Sequence, residues 1–168
     1  LATADAQGAM WKATGADGPA AAMWSTQPNV FVYRFDWDEE PNLLGIDLGT
    51  YLGAAHGFEI PFVFGHWDLG RQGSVIFNDA NRPGREALAE PMMSYWANFA
   101  WTGDPARGRE GDLPAWSAWD DRPGAHKYLI LDTPGSGGVR MGSEPVTPES
   151  VIAAVDSDPR LTSQRDRC

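Results

Sequence analysis

Residues Gly53 to Gly65 read GAAHGFEIPFVFG, with one imidazole, His56, between small residues and the apolar run Ile60 to Phe64. Small residues let the backbone turn, and the apolar run predicts a buried segment directly after it. His56 is therefore expected on a loop held by a rigid support, the usual setting for a functional side chain. An unperturbed imidazole titrates near ~6.5, so it takes and returns a proton near neutral pH, as a general base must. A solvated histidine without chemistry is the competing reading, and this stretch alone leaves both open.

Working outward, Val30 to Trp37 (VFVYRFDW) alternates Phe31, Tyr33 and Phe35 with Val30, Val32 and Arg34. That period of two predicts a core strand. On the other side, Met92, Tyr95, Trp96 and Phe99 recur at i, i+3, i+4 and i+7, predicting a helix from Pro91 to about Thr102 that Gly103 and Asp104-Pro105 stop. Lys127 to Asp132 (KYLILD) is a continuous apolar run suited to a strand buried on both faces, and Val139 to Met141 reads as its return strand after the turn PGSGG. Thr147, Pro148 and Glu149 form an N-cap, N1 and N2 set for a last helix to about Val155. Leu1 to Trp24, broken by Gly15, Gly18 and Pro19, predicts two short helical pieces. Asp38 to Tyr51 lacks a sustained period and predicts a long surface loop. Trp67 to Arg85, interrupted by Gly, Asn and Pro, predicts another, with a short strand at Ser74 to Phe77. The change from period two to period 3.6 specifies an α/β layer with a mixed sheet.

GAAHGFEIPFVFG, MMSYWANFAWTGDP at Met92 to Pro105 and LPAWSAWD at Leu113 to Asp120, in that order, resemble the C-terminal third of a type-B carboxylesterase, the cholinesterase-like branch of the α/β-hydrolases. The resemblance is clearest over residues 30–132. It implies an α/β fold, a C-terminal fragment of the α/β-hydrolase fold with helices packed on a mixed sheet, incomplete as a domain across residues 1–168. It also implies a Ser-His-Glu/Asp triad whose histidine is His56. None of Ser25, Ser74, Ser94, Ser117, Ser136, Ser143, Ser150, Ser157 and Ser163 sits in GxSxG, and no HGGG-like oxyanion loop is present. Because the triad in such enzymes runs Ser, acid, His along the chain, a piece beginning after the second member keeps only the third. The chain is therefore expected to need the upstream part of the hydrolase domain, and to be inactive alone. Its opening at Leu1 fits that expectation, and a free or externally paired thiol at Cys168 is compatible with it. The alternative is a non-catalytic, neuroligin-type binding or adhesion domain of the same fold. Family membership also implies a small-molecule ester as substrate and leans toward a secreted or periplasmic protein.

A formal charge of -10 argues against nucleic acid and anionic membranes as partners, since both require clustered Lys and Arg. No apolar run approaches the ~20 residues of a membrane span. The acidic group Asp36, Asp38, Glu39 and Glu40 lacks the spacing of a calcium loop, and His56/Glu59 with His66/Asp68 lacks HExxH, so no metal is expected. PGSGG lacks the Lys-Ser/Thr of a phosphate loop, and no cofactor is expected. Trp101, Trp116 and Trp119, three of eight tryptophans, are read as packing residues rather than a sugar platform. Glu59 is expected to support the His56 loop through its backbone. Strands this aromatic also predict much exposed apolar surface.

Overall fold

A computed structural model describes residues 2–70 and 73–161, so Cys168 lies outside the described residues. In chain order the elements are α1 (Ala2–Lys12), a π-helical turn (Ala13–Asp17), α2 (Gly18–Trp24), β1 (Tyr33–Phe35), β2 (Asn42–Leu43), β3 (Ile46–Asp47), α3 (Leu48–Leu52), α4 (Glu59–Phe64), α5 (Gly73–Ile76), α6 (Arg82–Thr102), β4 (Tyr128–Leu131), a 3₁₀ turn (Pro134–Ser136), β5 (Arg140–Gly142) and α7 (Pro148–Ser157). They fall into two compact units, one of Leu1–Val32, Ala118–Lys127 and Ser143–Cys168, the other of Tyr33–Ser117 and Tyr128–Gly142.

In the first unit the expected helical pieces form, and the break between them is the π-helical turn. Its last residue, Asp17, is buried, accepts from the Val146 amide at 2.6 Å and pairs with Lys12. Lys127 is also buried: its ammonium donates to the carbonyls of Asp120 at 2.5 Å and Arg122 at 2.9 Å, and lies over the Trp119 ring. A buried cation is tolerable only with such acceptors. The predicted last helix is present as α7, with Thr147 and Ser150 forming a reciprocal capping box.

The second unit holds a mixed three-stranded sheet of order β1-β4-β5. β1 runs parallel to β4, pairing Tyr33 with Leu129 and Phe35 with Leu131, and β4 runs antiparallel to β5, pairing Leu129 with Met141. All four residues of β4 are buried, as its unbroken apolar run predicts. β1 is shorter than the expected Val30 to Trp37. β4 offers only four residues, and the Val30 carbonyl spends its bond on the Trp119 amide at 2.7 Å instead.

The aromatic helix is α6, but it begins at Arg82 rather than Pro91. Pro83 takes the first-turn position that tolerates proline, and Pro91 lies inside the helix. Its buried stripe extends N-terminally through Arg85, Leu88, Ala89, Met92 and Tyr95, while Trp96 is half-buried and Phe99 exposed. The Tyr95 hydroxyl donates to the Pro114 carbonyl at 2.5 Å. Burial pushes that phenol up to about 12. Trp96 and Trp116 pack edge-on to Tyr33 of β1, with centroids 5.1 and 6.3 Å away, which seats the helix and the following loop against the strand.

Two segments expected as loops are structured. Asp38 to Tyr51 contains the β2–β3 hairpin and α3, and Trp67 to Arg85 contains α5 where a strand was expected, followed by the first turn of α6. Arg85 organises the latter: its guanidinium donates to the Asn78 carbonyl and to Asn81 Oδ1, and stacks 5.0 Å from the Trp67 ring centroid. Such tertiary anchoring overrides the Gly, Asn and Pro punctuation that local propensity reads as loop.

Candidate functional site

His56 lies in a turn built from three local constraints. The Ala55 amide reaches the Gly53 carbonyl at 2.7 Å, the Phe58 amide reaches the Ala55 carbonyl at 3.1 Å, and Gly57 adopts φ +87°. A type II turn needs left-handed backbone at its third position, and Gly57, directly after His56, supplies it. Gly53 is equally constrained, with φ 53° and ψ -149°, a region in which a Cβ is strongly disfavoured. The chain bends sharply on both sides of the histidine, and the His56 side chain is exposed.

The turn feeds directly into α4. The apolar run Ile60 to Phe64 is therefore not the fully buried segment expected but a short helix with two faces: Pro61 and Phe62 are buried, Ile60 and Phe64 exposed. Phe62 stacks with Phe35 at 5.0 Å, Trp37 at 5.3 Å and Trp67 at 4.9 Å. α4 also packs along α6, where Gly65 ends it with a left-handed cap; a Cβ there would meet Met93 Sδ at 2.8 Å. His56 thus stands on a turn whose downstream end is locked into an aromatic core. That is the support a positioned general base requires.

Several carboxylates of the same unit have structural engagements. Asp36 receives a fork from Arg34, at 2.8 Å and 3.0 Å from Nε and 2.5 Å from Nη2. Asp132 accepts from the Thr133 amide at 2.8 Å, and burial raises its pKa above the usual carboxylate range. Glu39 accepts from the Thr133 hydroxyl at 2.7 Å and sits so close to α6 that a Cβ on Gly84 would lie 2.0 Å from Glu39 Oε2. Glu59 opens α4, and its charge, after burial, raises the pKa of the Tyr33 phenol. Among the described residues no group of three or more His, Cys, Asp or Glu side chains is placed to hold a metal ion. No described helix is long and apolar enough to cross a membrane.

Several hydroxyls are likewise occupied by backbone: Ser94 Oγ accepts from the Arg109 amide at 2.9 Å, Ser150 belongs to the α7 capping box, and Ser157 donates to the Ala153 carbonyl at 2.9 Å. Sequence reasoning grouped Glu40 with an acidic cluster and missed its burial. It is buried, and among the described residues neither carboxylate oxygen has a hydrogen-bond donor. Burial first, then the charges of Asp38 and Asp47, push its pKa up to about 7. It also missed the β2–β3 hairpin, because the two-residue connection Leu44-Gly45 lacks the Asn or Asp that marks such turns.

The sequence model of the carboxylesterase family matches residues 13–146. Carboxylesterase 5A of Mus musculus is 34% identical over 115 residues, which is 68% of this chain and 19% of that protein. Acetylcholinesterase of Electrophorus electricus is 33% identical over 105 residues, 62% of this chain and 15% of that protein. A solved structure of PNB esterase superposes with a TM-score of 0.50 at 29% identity, over 76% of this chain and 23% of its own. The chain thus spans about a fifth of the length of the curated carboxylesterases it matches. The mixed sheet with its packed helices is part of an α/β-hydrolase fold.

Proposed function

This chain belongs to the carboxylesterase family, and from that premise we propose that it contributes His56 as the general base of a serine carboxylic-ester hydrolase. The observation that carries this reading is an exposed imidazole at the apex of a glycine-constrained turn locked to α4, within the matched region. The nucleophilic Ser, the acid that orients the imidazole and the oxyanion hole belong to upstream segments, since no serine of this chain lies in GxSxG. Residues 1–168 are accordingly the C-terminal portion of the catalytic domain.

In the reaction, His56 accepts the proton of the Ser hydroxyl as its oxygen attacks the ester carbonyl. The imidazolium then gives that proton to the departing alkoxide, releasing the alcohol and leaving an acyl-enzyme. Water, deprotonated by the same imidazole, then attacks the acyl-enzyme; the acyl–Ser bond breaks, the imidazolium returns its proton to the Ser oxygen, and the carboxylic acid is released. An accessible imidazole favours this reading over a binding-only domain, which has no need of one. The test is turnover of a short-chain aryl ester by the whole hydrolase, its His56→Ala variant and the 168-residue chain. The variant should lose on the order of 10⁴-fold in kcat, and the chain alone should show no turnover. Full activity in the variant, or ester hydrolysis by the isolated chain, overturns the proposal.

A further inference from the structure

The turn that carries His56 is shaped by its own backbone but not anchored by it. Between the end of α3 at Leu52 and the start of α4 at Glu59, both Gly53 and Gly57 hold positive φ, and glycine leaves the chain more freedom to lose than any other residue. The bonds that close the turn run from the Ala55 amide to the Gly53 carbonyl, from Phe58 to Ala55, and from Ile60 to Gly57 at 3.3 Å. These three lie within residues 53–60, so they form the bend without tying it to a neighbouring element. A general base has to be held within about 0.5 Å of its working position, and a displacement of about 1 Å costs up to roughly 10²-fold in rate.

Phe58 supplies the missing tie. It is half-buried, two residues after His56, and its ring meets that of Phe77 edge-on, with centroids 6.2 Å apart and planes 64° apart. Phe77 is buried at the middle of the aromatic cluster, 5.4 Å from Trp37, 5.3 Å from Trp67 and 6.1 Å from Phe62. Phe58 already has helical backbone, φ -70° and ψ -20°, so Phe58 and Phe62 stand four apart on one face of α4, and both meet Phe77. Two rings one turn apart against the same third ring fix the helix start in position and in rotation. Phe62 alone leaves the first turn of α4 free to fray, since the first amides of a helix have no partner within it. Phe77 is itself well seated: its amide donates to the Gly73 carbonyl at 2.8 Å, and a Cβ on Gly73 would lie 2.9 Å from Leu69 Cβ.

We propose that Phe58 is a positioning residue for His56: its ring, held against Phe77, sets where the imidazole stands. The inference rests on the general-base reading of His56 and adds the side chain through which α5 and the aromatic cluster support that base. Phe58 acts through the backbone it shares with the turn, so its loss affects the chemical step and leaves ester binding in place.

The experiment uses the whole hydrolase and its Phe58→Leu, Phe58→Tyr, Phe77→Leu and Phe58→Leu/Phe77→Leu variants. Leucine keeps most of the apolar volume, which limits the loss of stability, while removing the ring edge. Turnover of para-nitrophenyl acetate is referred to folded protein, measured by near-ultraviolet circular dichroism. Phe58→Leu should lower kcat about tenfold with KM within about twofold, the pattern of an arrangement needed only in the transition state. Phe58→Tyr keeps the ring and should retain kcat within about threefold. Phe77→Leu should also lower kcat, and the double variant should lose no more than about twice what Phe58→Leu loses, because both substitutions break one contact. An unchanged kcat in Phe58→Leu overturns the proposal, as does a rise in KM at constant kcat, which would place the ring against the substrate. Failure of Phe58→Tyr to retain activity, or losses that multiply in the double variant, overturns it as well. His56→Ala is measured alongside: if it keeps activity, the general-base reading fails, whereas loss in His56→Ala with full kcat in Phe58→Leu defeats the positioning role alone.

Discussion

Within one compact unit, two regions are held together by different means. The platform of β1, β4, α4 and α6 is fixed by large side chains, with Trp37, Phe62, Met92, Tyr95, Leu129 and Leu131 fully buried. The segment from Asp38 to Phe58, which carries the hairpin, α3 and His56, buries few large apolar groups. It is shaped by glycine positions, an Asp47 cap and close backbone approaches. A core closely packed with aromatics resists change, whereas a segment held by local geometry varies at little cost. The proposed general base stands on the second and is braced by the first.

Substitutions in the two regions should therefore fail in different ways. Phe62→Ala removes the ring at the centre of the platform's cluster and is expected to cost about 3–5 kcal/mol in equilibrium unfolding, with loss of near-ultraviolet circular dichroism. A cost under about 1 kcal/mol would erase the distinction between the regions. Glu40→Gln probes the segment in the opposite direction. Glu40 titrates near 7 in the folded chain against about 4.3 unfolded, so native Glu40 destabilises progressively as pH rises through that window. The variant should be more stable than the parent by about 2–3 kcal/mol at pH 8, the ~3.7 kcal/mol of the full shift being reduced by solvent screening, and equal to it near pH 4. A pH-independent difference would show that burial is not the cause. Gly49→Ala sharpens the comparison last. Alanine ordinarily strengthens a helix by up to ~1 kcal/mol, but here its Cβ meets the Asp38 carbonyl oxygen, and a net loss of about 1–2 kcal/mol is expected. Gly8→Ala in α1, where nothing lies within 4 Å of the added Cβ, should instead stabilise, and a thermal melt of both variants reads the contrast directly.

Parts of this architecture are legible before any coordinates because a single physical term governs them. The run Tyr128 to Leu131 is apolar throughout since both faces are covered, and Thr147-Pro148 announces a helix start since capping is local. The start of α6 is hidden because two prolines, Pro83 and Pro91, both fit a first turn, and only the Arg85 contacts with Asn78 and Asn81 decide between them. The hairpin is hidden for the converse reason: a leucine occupies a position that turn chemistry assigns to Asn, Asp or Gly. At the candidate site, the glycines around His56 foretell the turn, but the half-buried, half-exposed character of α4 depends on Phe62 meeting Phe35 and Trp37, about 25 residues earlier in the chain.

The parallel pairing of β1 with β4 also has a bearing on biosynthesis. Glu39, just past β1, meets Thr133, just past β4, across 94 residues of sequence. A ribosome adding about 5–20 residues per second takes on the order of 5–20 s to make that stretch. Throughout that interval the aromatic strand Tyr33–Phe35 has been synthesised without the partner that will complete its ladder, and once it leaves the ribosome it faces a slow, aggregation-exposed stage.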